Sequence, residues 1–143
     1  TLPESIGNLT GLERLDLKGC FTLQRLSNSL GNLRGLQSLI LSGCSSLQRL
    51  PDSIENLTSL RTLHLACCSN LEMLPNVGNL TSLRTLHLAC CSSLQMVPNV
   101  EHSSSLEYLN VFQCSKLQWG VGVVEQLRQQ LEESCFIEEG WQE

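Results

Sequence analysis

The apolar positions of this chain follow a pattern that repeats five times. Leu12 to Leu26 reads LERLDLKGCFTLQRL, and Leu36 to Leu50, Leu60 to Leu74, Leu83 to Val97 and Leu106 to Leu117 keep the same order of leucines and polar residues. Successive blocks start 24, 24, 23 and 23 residues apart. Within a block, the alternation seen in Leu63-His64-Leu65 predicts a short strand with its leucines on one face. Three residues do not make a strand that persists alone. Equivalent strands are therefore expected to stack about 4.8 Å apart as a parallel sheet, in a right-handed solenoid whose leucines merge into one core.

The segments between blocks repeat as well: LPESIGNLTG at 2–11, LSNSLGNLRG at 26–35, LPDSIENLTS at 50–59 and LPNVGNLTS at 74–82. Ile6, Ile54 and Val77 are expected to point inward from these arcs. Pro3, Pro51, Pro75 and Pro98 interrupt helical hydrogen bonding, so the arcs are read as short 3₁₀ or helical turns. The fifth arc carries Ser103 where the others carry leucine, which predicts a looser turn.

After Trp119-Gly120 the period changes. Val123, Val124, Leu127 and Leu131 fall on one helical stripe, predicting a helix from about Val121 to Ser134 that covers the open end of the solenoid. Cys135, Phe136, Ile137 and Trp141 are expected to add a last contact. The organisation is thus a repeat array over 1–119 and a capping helix with an acidic tail over 120–143. Docking of that tail on a partner is the alternative role.

Composition narrows the picture. Hydrophobic residues make up 41% of the chain but aromatics only 4%, so an aliphatic core must carry the fold, and 143 residues suit a single domain. The net charge is −5; residues 1–119 hold eight Lys/Arg and eight Asp/Glu, while 120–143 hold one Arg and six Glu. A neutral body has no footprint for a polyphosphate, so neither nucleic acid nor a membrane surface is expected as partner. No apolar run approaches the ~20 residues of a spanning helix. Thr1 opens inside the repeating pattern, which suggests an excised piece of a longer array.

Cys20, Cys44, Cys68, Cys91 and Cys114 share one column of the repeat. A thiol there fits a buried turn and can donate to a neighbouring carbonyl. None needs a disulfide partner, so a reducing, cytoplasmic setting is expected. His64-x-x-Cys67-Cys68 and His87-x-x-Cys90-Cys91 hold the side chains zinc accepts. Copying of one repeat accounts for that pattern equally well, so no metal and no cofactor is assigned. An oxidised Cys67–Cys90 bridge is a further alternative on adjacent strands. Nothing supplies the third group or oxyanion donor that a His–Cys nucleophile pair requires, so no enzyme is expected. Asn8, Asn56 and Asn79 head Asn-x-Thr triplets, but these belong to the repeat consensus.

The pattern LxxLxLxxC with an LPxSIGNLTSL-type arc resembles the leucine-rich repeat family over residues 1 to about 119. The ladder cysteine and the arc-opening Leu50-Pro51-Asp52-Ser53-Ile54 resemble plant intracellular nucleotide-binding leucine-rich-repeat receptors of disease resistance. The resemblance implies an α/β horseshoe with a parallel sheet on its concave face and a C-terminal capping helix. It also implies a non-enzymatic module that senses a ligand or holds a receptor inactive. Substrate-recognition repeats of a ubiquitin-ligase adaptor are the alternative, and a zinc-binding regulator a third.

Residues between the strand leucines must face away from the core. They run Arg14, Ser38, Thr62, Thr85 and Tyr108; then Asp16, Ile40, His64, His87 and Asn110; then Lys18, Ser42, Ala66, Ala89 and Phe112. Arg61 and Arg84 flank them. Of these, Arg14, Asp16, Ile40, Arg61, His64, Arg84, His87, Tyr108, Asn110 and Phe112 are the candidate contacts for a protein or peptide, or for another domain of the parent chain. Tyr108 and Phe112 are expected as exposed anchors at one end and Ile40 at the other, with a shallow trough of small residues between.

Overall fold

A computed structural model describes residues 2–138. The five short strands form as the alternation predicts: β1 Arg14–Asp16, β2 Ser38–Ile40, β3 Thr62–His64, β4 Thr85–His87 and β5 Tyr108–Asn110. They pair in parallel and in sequence order. The register aligns Leu15, Leu39, Leu63, Leu86 and Leu109 as consecutive rungs. Each central leucine lands against its counterpart because the repeat length, not the strand, sets the offset.

Every arc holds a 3₁₀ turn: Glu4–Asn8, Asn28–Asn32, Asp52–Asn56, Val77–Asn79 and Val100–His102. Ile54 and Val77 are fully buried, whereas Ile6 in the first arc is half-buried. The first arcs nest closely. A Cβ on Gly31 would lie 2.6 Å from the backbone oxygen of Ser53, so only glycine fits between the two turns. Ser53 Oγ in turn donates to Asn28 O at 2.7 Å, as Ser29 Oγ does to Glu4 O. The third arc replaces that glycine with Glu55, and the fourth arc is one residue shorter. The Glu55 carboxylate fills the difference, accepting from Asn76 N–H and Asn79 Nδ2, both at 2.9 Å.

The ladder cysteines behave as donors. Cys44, Cys68, Cys91 and Cys114 give their S–H to Leu17, Leu41, Leu65 and Leu88 carbonyls at 3.0 to 3.3 Å. Burial, reinforced by the neighbouring thiols, pushes the Cys68 thiol up to about 12; burial likewise lifts Cys114 to about 11 and raises Cys91 further. These thiols are chemically quiet.

The C-terminal end differs from expectation in two respects. The helix, α1, spans only Val123–Gln130. Leu131 leaves it in an extended conformation, and after a 3₁₀ turn at Glu133–Cys135 the chain forms a sixth strand, β6 Phe136–Ile137. Phe136 pairs with Leu109 and occupies the leucine position of a sixth rung. The cap is thus a helix plus a strand, and Leu127, Leu131 and Phe136 all enter the core. Trp119 packs edge-on against Phe136. Trp141 lies outside the described residues.

The fifth arc keeps the backbone hydrogen bond of the others, although Asn99 enters it at a positive φ of 58° and Ser103 Oγ is buried without a partner among the described residues. Ser103 is buried, and its N–H donates to Val100 O at 3.0 Å as in the neighbouring arcs. Two glutamines of α1 secure this arc: Gln130 Nε2 donates to Ser103 O and Leu106 O, and Gln126 Nε2 to Glu101 O.

Candidate protein-binding face

The sheet turns its leucines inward and leaves its other face open. The small middle residues expected to form a trough do lie there, half-buried or buried. Above them, the wider side chains of three rungs form an aromatic row. The His64 and His87 rings lie 4.4 Å apart, and His87 lies 6.2 Å from the Tyr108 ring. This row was not foreseen as a unit. Its signal in the sequence is the His-His-Asn column standing beside the Thr-Thr-Tyr column, so that Tyr108 leans across one position.

Histidine protonation is disfavoured here. Partial burial, and then the positive charge of Lys18, holds His64 below the ordinary histidine range; partial burial, and then His64 itself, does the same for His87. His64 Nδ1 hydrogen-bonds Ser42 Oγ at 2.6 Å. His87 Nδ1 is buried without a partner among the described residues. A polar group brought by a partner would satisfy this nitrogen.

A shallow depression of about 340 Å³ lies beside the histidines, lined in part by Asp16, Lys18, Ile40, Ser42, His64 and His87. Ile40 is half-buried, as are Tyr108 and Phe112, so none of the three is fully exposed. Asn110 is largely buried and committed locally: its Oδ1 accepts from Phe112 N–H at 2.9 Å and its Nδ2 donates to the Tyr108 hydroxyl at 3.1 Å. Asn110 thereby fixes both aromatic candidates. Asp16 plays a matching part at the first rung, accepting from Lys18 N–H at 3.0 Å and pairing with Arg14 at 3.4 Å. Arg61 and Arg84 stand exposed along the flank. Their carbonyls receive pairs of N–H groups from the following rung.

The His and Cys side chains of the zinc alternative do not converge, for among the described residues no group of three or more His, Cys, Asp and Glu side chains is placed to hold a metal ion. Among the same residues no helix is long and apolar enough to cross a membrane.

A stacked parallel sheet with 3₁₀ arcs and a thiol ladder defines a leucine-rich repeat solenoid. The profile of the leucine-rich repeat region family matches residues 1–139, and the chain belongs to that family. Among solved structures, the leucine-rich repeat domain of the type III effector XopL is similar over 98% of this chain and 57% of its own, with 24% identity and a TM-score of 0.61. A leucine-rich repeat protein of Leptospira interrogans is similar over 99% and 41%, at 24% identity and 0.53. The crystal structure of PEPR1–AtPEP1 is similar over 96% and 20%, at 20% identity and 0.59. At such identities the likeness establishes the fold. The chain spans between 20% and 57% of the length of these three structures. No curated protein matches it.

Proposed function

We propose that the open face of the sheet is a recognition surface for a protein or peptide, and that the chain is the ligand-sensing or autoinhibitory repeat region of a plant intracellular immune receptor. The observation that carries the first part is the row His64, His87 and Tyr108 beside Ile40 and Phe112. Apolar and aromatic groups are held there in fixed orientation by the sheet, and His87 Nδ1 lacks a partner. Rigid aromatic groups around a desolvated centre are what protein interfaces use as anchors. The second part rests on the cysteine column and the LP-opening arcs. Four thiols serve as hydrogen-bond donors, a role that oxidation would abolish, which favours a reducing cytoplasmic compartment. No chemistry is proposed for the face.

The test is affinity capture from plant leaf extract with the immobilised chain. Recovery of a specific partner should fall about tenfold or more when His64, Tyr108 and Phe112 are changed together to Ala, the loss expected of a central anchor. It should persist when Met73 and Met96, which are exposed outside the sheet face, are changed to Ala. Equal recovery by both variants would sink the assignment of this face.

A further inference from the structure

The backbone ladder runs on past the strands. Gly19, Gly43, Cys67 and Cys90 donate their N–H groups to the Ser42, Ala66, Ala89 and Phe112 carbonyls at 2.7 to 2.8 Å. Lys18, Ser42, Ala66, Ala89 and Phe112 therefore stand in one column across five rungs. A cation occupies one end of the column and an aromatic ring the other, with one hydroxymethyl and two methyl groups between them. Side chains that short leave room for the backbone of an extended segment to lie along the column.

The positive charge at the Lys18 end is not neutralised. Among the described residues lining the depression there, Asp16 is the one acid, and both its oxygens are committed. One pairs with Arg14 at 3.4 Å and the other accepts from Lys18 N–H at 3.0 Å. Lys18 itself forms no ion pair among the described residues. Arg14 and Asp16 offset one another, and the Lys18 ammonium remains unmatched. Its charge reaches the histidines: after partial burial, it is what keeps His64 below the ordinary range. Half-buried Ile40 and Ala66 line the same depression, and a charge beside such groups is screened less than in open water. His87, whose Nδ1 is buried without a partner among the described residues, adds an unmet polar atom to that lining.

Charge and spacing together decide what fits. One unmatched positive charge suits the single charge of a carboxylate better than the about −1.5 to −2 of a phosphate. At the far end, Asn110 holds Tyr108 and the Phe112 backbone in place, which provides a rigid apolar seat. Four rung steps of about 4.8 Å separate the two ends by about 19 Å, which extended chain covers in about six residues at ~3.3 Å each.

We propose that, on the reading of this face as a protein-binding surface, its occupant is an extended segment of a partner protein with an acidic and an apolar anchor. The segment seats an Asp or Glu carboxylate in the depression beside Lys18, and an apolar side chain about six residues away against Tyr108 and Phe112. The test is selection of displayed random peptides, long enough to span the column, on the immobilised chain. Counter-selection uses the chain with His64, Tyr108 and Phe112 changed to Ala. Peptides retained by the native chain alone should carry Asp or Glu about six positions from an aromatic residue or leucine. Lys18→Gln removes the charge from an exposed side chain, and circular dichroism should show that variant folded. It should weaken such a peptide about three- to tenfold, and more at low salt than at high. Replacing the peptide's acid by its amide should have a similar effect, and the two losses should not add, because each removes the same contact. Face-dependent peptides that lack the acid, keep no fixed spacing or bind the Lys18→Gln chain equally well would overturn the proposal and leave the face as a binding surface. If no peptide distinguishes the native chain from the counter-selection variant, the reading of the face falls and this inference with it.

Discussion

The histidine pair shows how one side chain can connect stability to pH. The His64 and His87 rings lie 4.4 Å apart, and both are held below the ordinary histidine range, first by burial and then by positive charge, that of Lys18 on His64 and that of His64 on His87. A folded-state pKa below the unfolded value of about 6.5 means that the unfolded chain binds more protons in the window between the two. Stability contributed by the neutral pair is therefore complete above about pH 6.5 and is lost as the pH falls through that value toward the lower folded pKa. Urea midpoints measured from pH 7.5 to 5 should decline for the native chain. In a His64→Gln, His87→Gln variant the decline should be shallower, since glutamine keeps hydrogen-bonding capacity without titrating. Identical slopes would show that the pair is not the source. A partner that seats an acidic group on His87 would reverse the local preference, so binding and pH would be linked through the same ring.

Among the elements, the arcs carry more of the fold's specificity than the strands. Strand positions were legible because alternation and the repeat length fix both face and register, and Leu15, Leu39, Leu63, Leu86 and Leu109 align accordingly. β6 was not legible: Phe136-Ile137 is a two-residue strand without the leucine pattern, and only the free edge of β5 makes it a rung. The helix was overextended because Leu131 continues its apolar stripe, although it reaches the core from an extended backbone. The candidate face was legible as columns of residues but not as a working surface. Which side chains lean together, as Tyr108 does toward His87, depends on rotamers that spacing does not encode. In the arcs, glycine is a packing residue. A methyl group at Gly31 would meet the Ser53 backbone at 2.6 Å and force two turns apart. Gly31→Ala should cost about 1 to 3 kcal/mol in chemical denaturation, as overpacking does. Gly35→Ala, where the nearest atom to a new Cβ is 3.9 Å away, should cost clearly less. Similar costs for the two would mean that the arcs yield more readily than their nesting implies.

At the scale of residues 1–143, the first and last rungs are built differently, and this sets where the isolated chain should open. Each rung of a repeat array is stabilised by its own contacts and those of its immediate neighbours, so a rung with one neighbour is weaker than one with two. At the C-terminal end that deficit is offset, since α1 and β6 cover the last leucine rung and Leu109 remains fully buried. The N-terminal end has no equivalent cover among the described residues. Leu9 is 52% exposed while Leu33, its counterpart one rung on, is 0% exposed, and Leu12, Leu15 and Leu17 are only partly buried. In the isolated chain of residues 1–143, local opening should therefore begin at the first rung and move inward, because each rung lost leaves the next in the same position. Amide hydrogen exchange by mass spectrometry should show protection rising from residues 2–17 to a plateau across 36–97, and staying high through β5. Phe136→Ala should lower protection in β5 and α1 first, because it removes the side chain that takes the leucine position beyond Leu109, and should leave the N-terminal gradient unchanged. Uniform protection along the chain would mean that the array unfolds as one unit, in which case nearest-neighbour contacts between rungs are not what limits its stability.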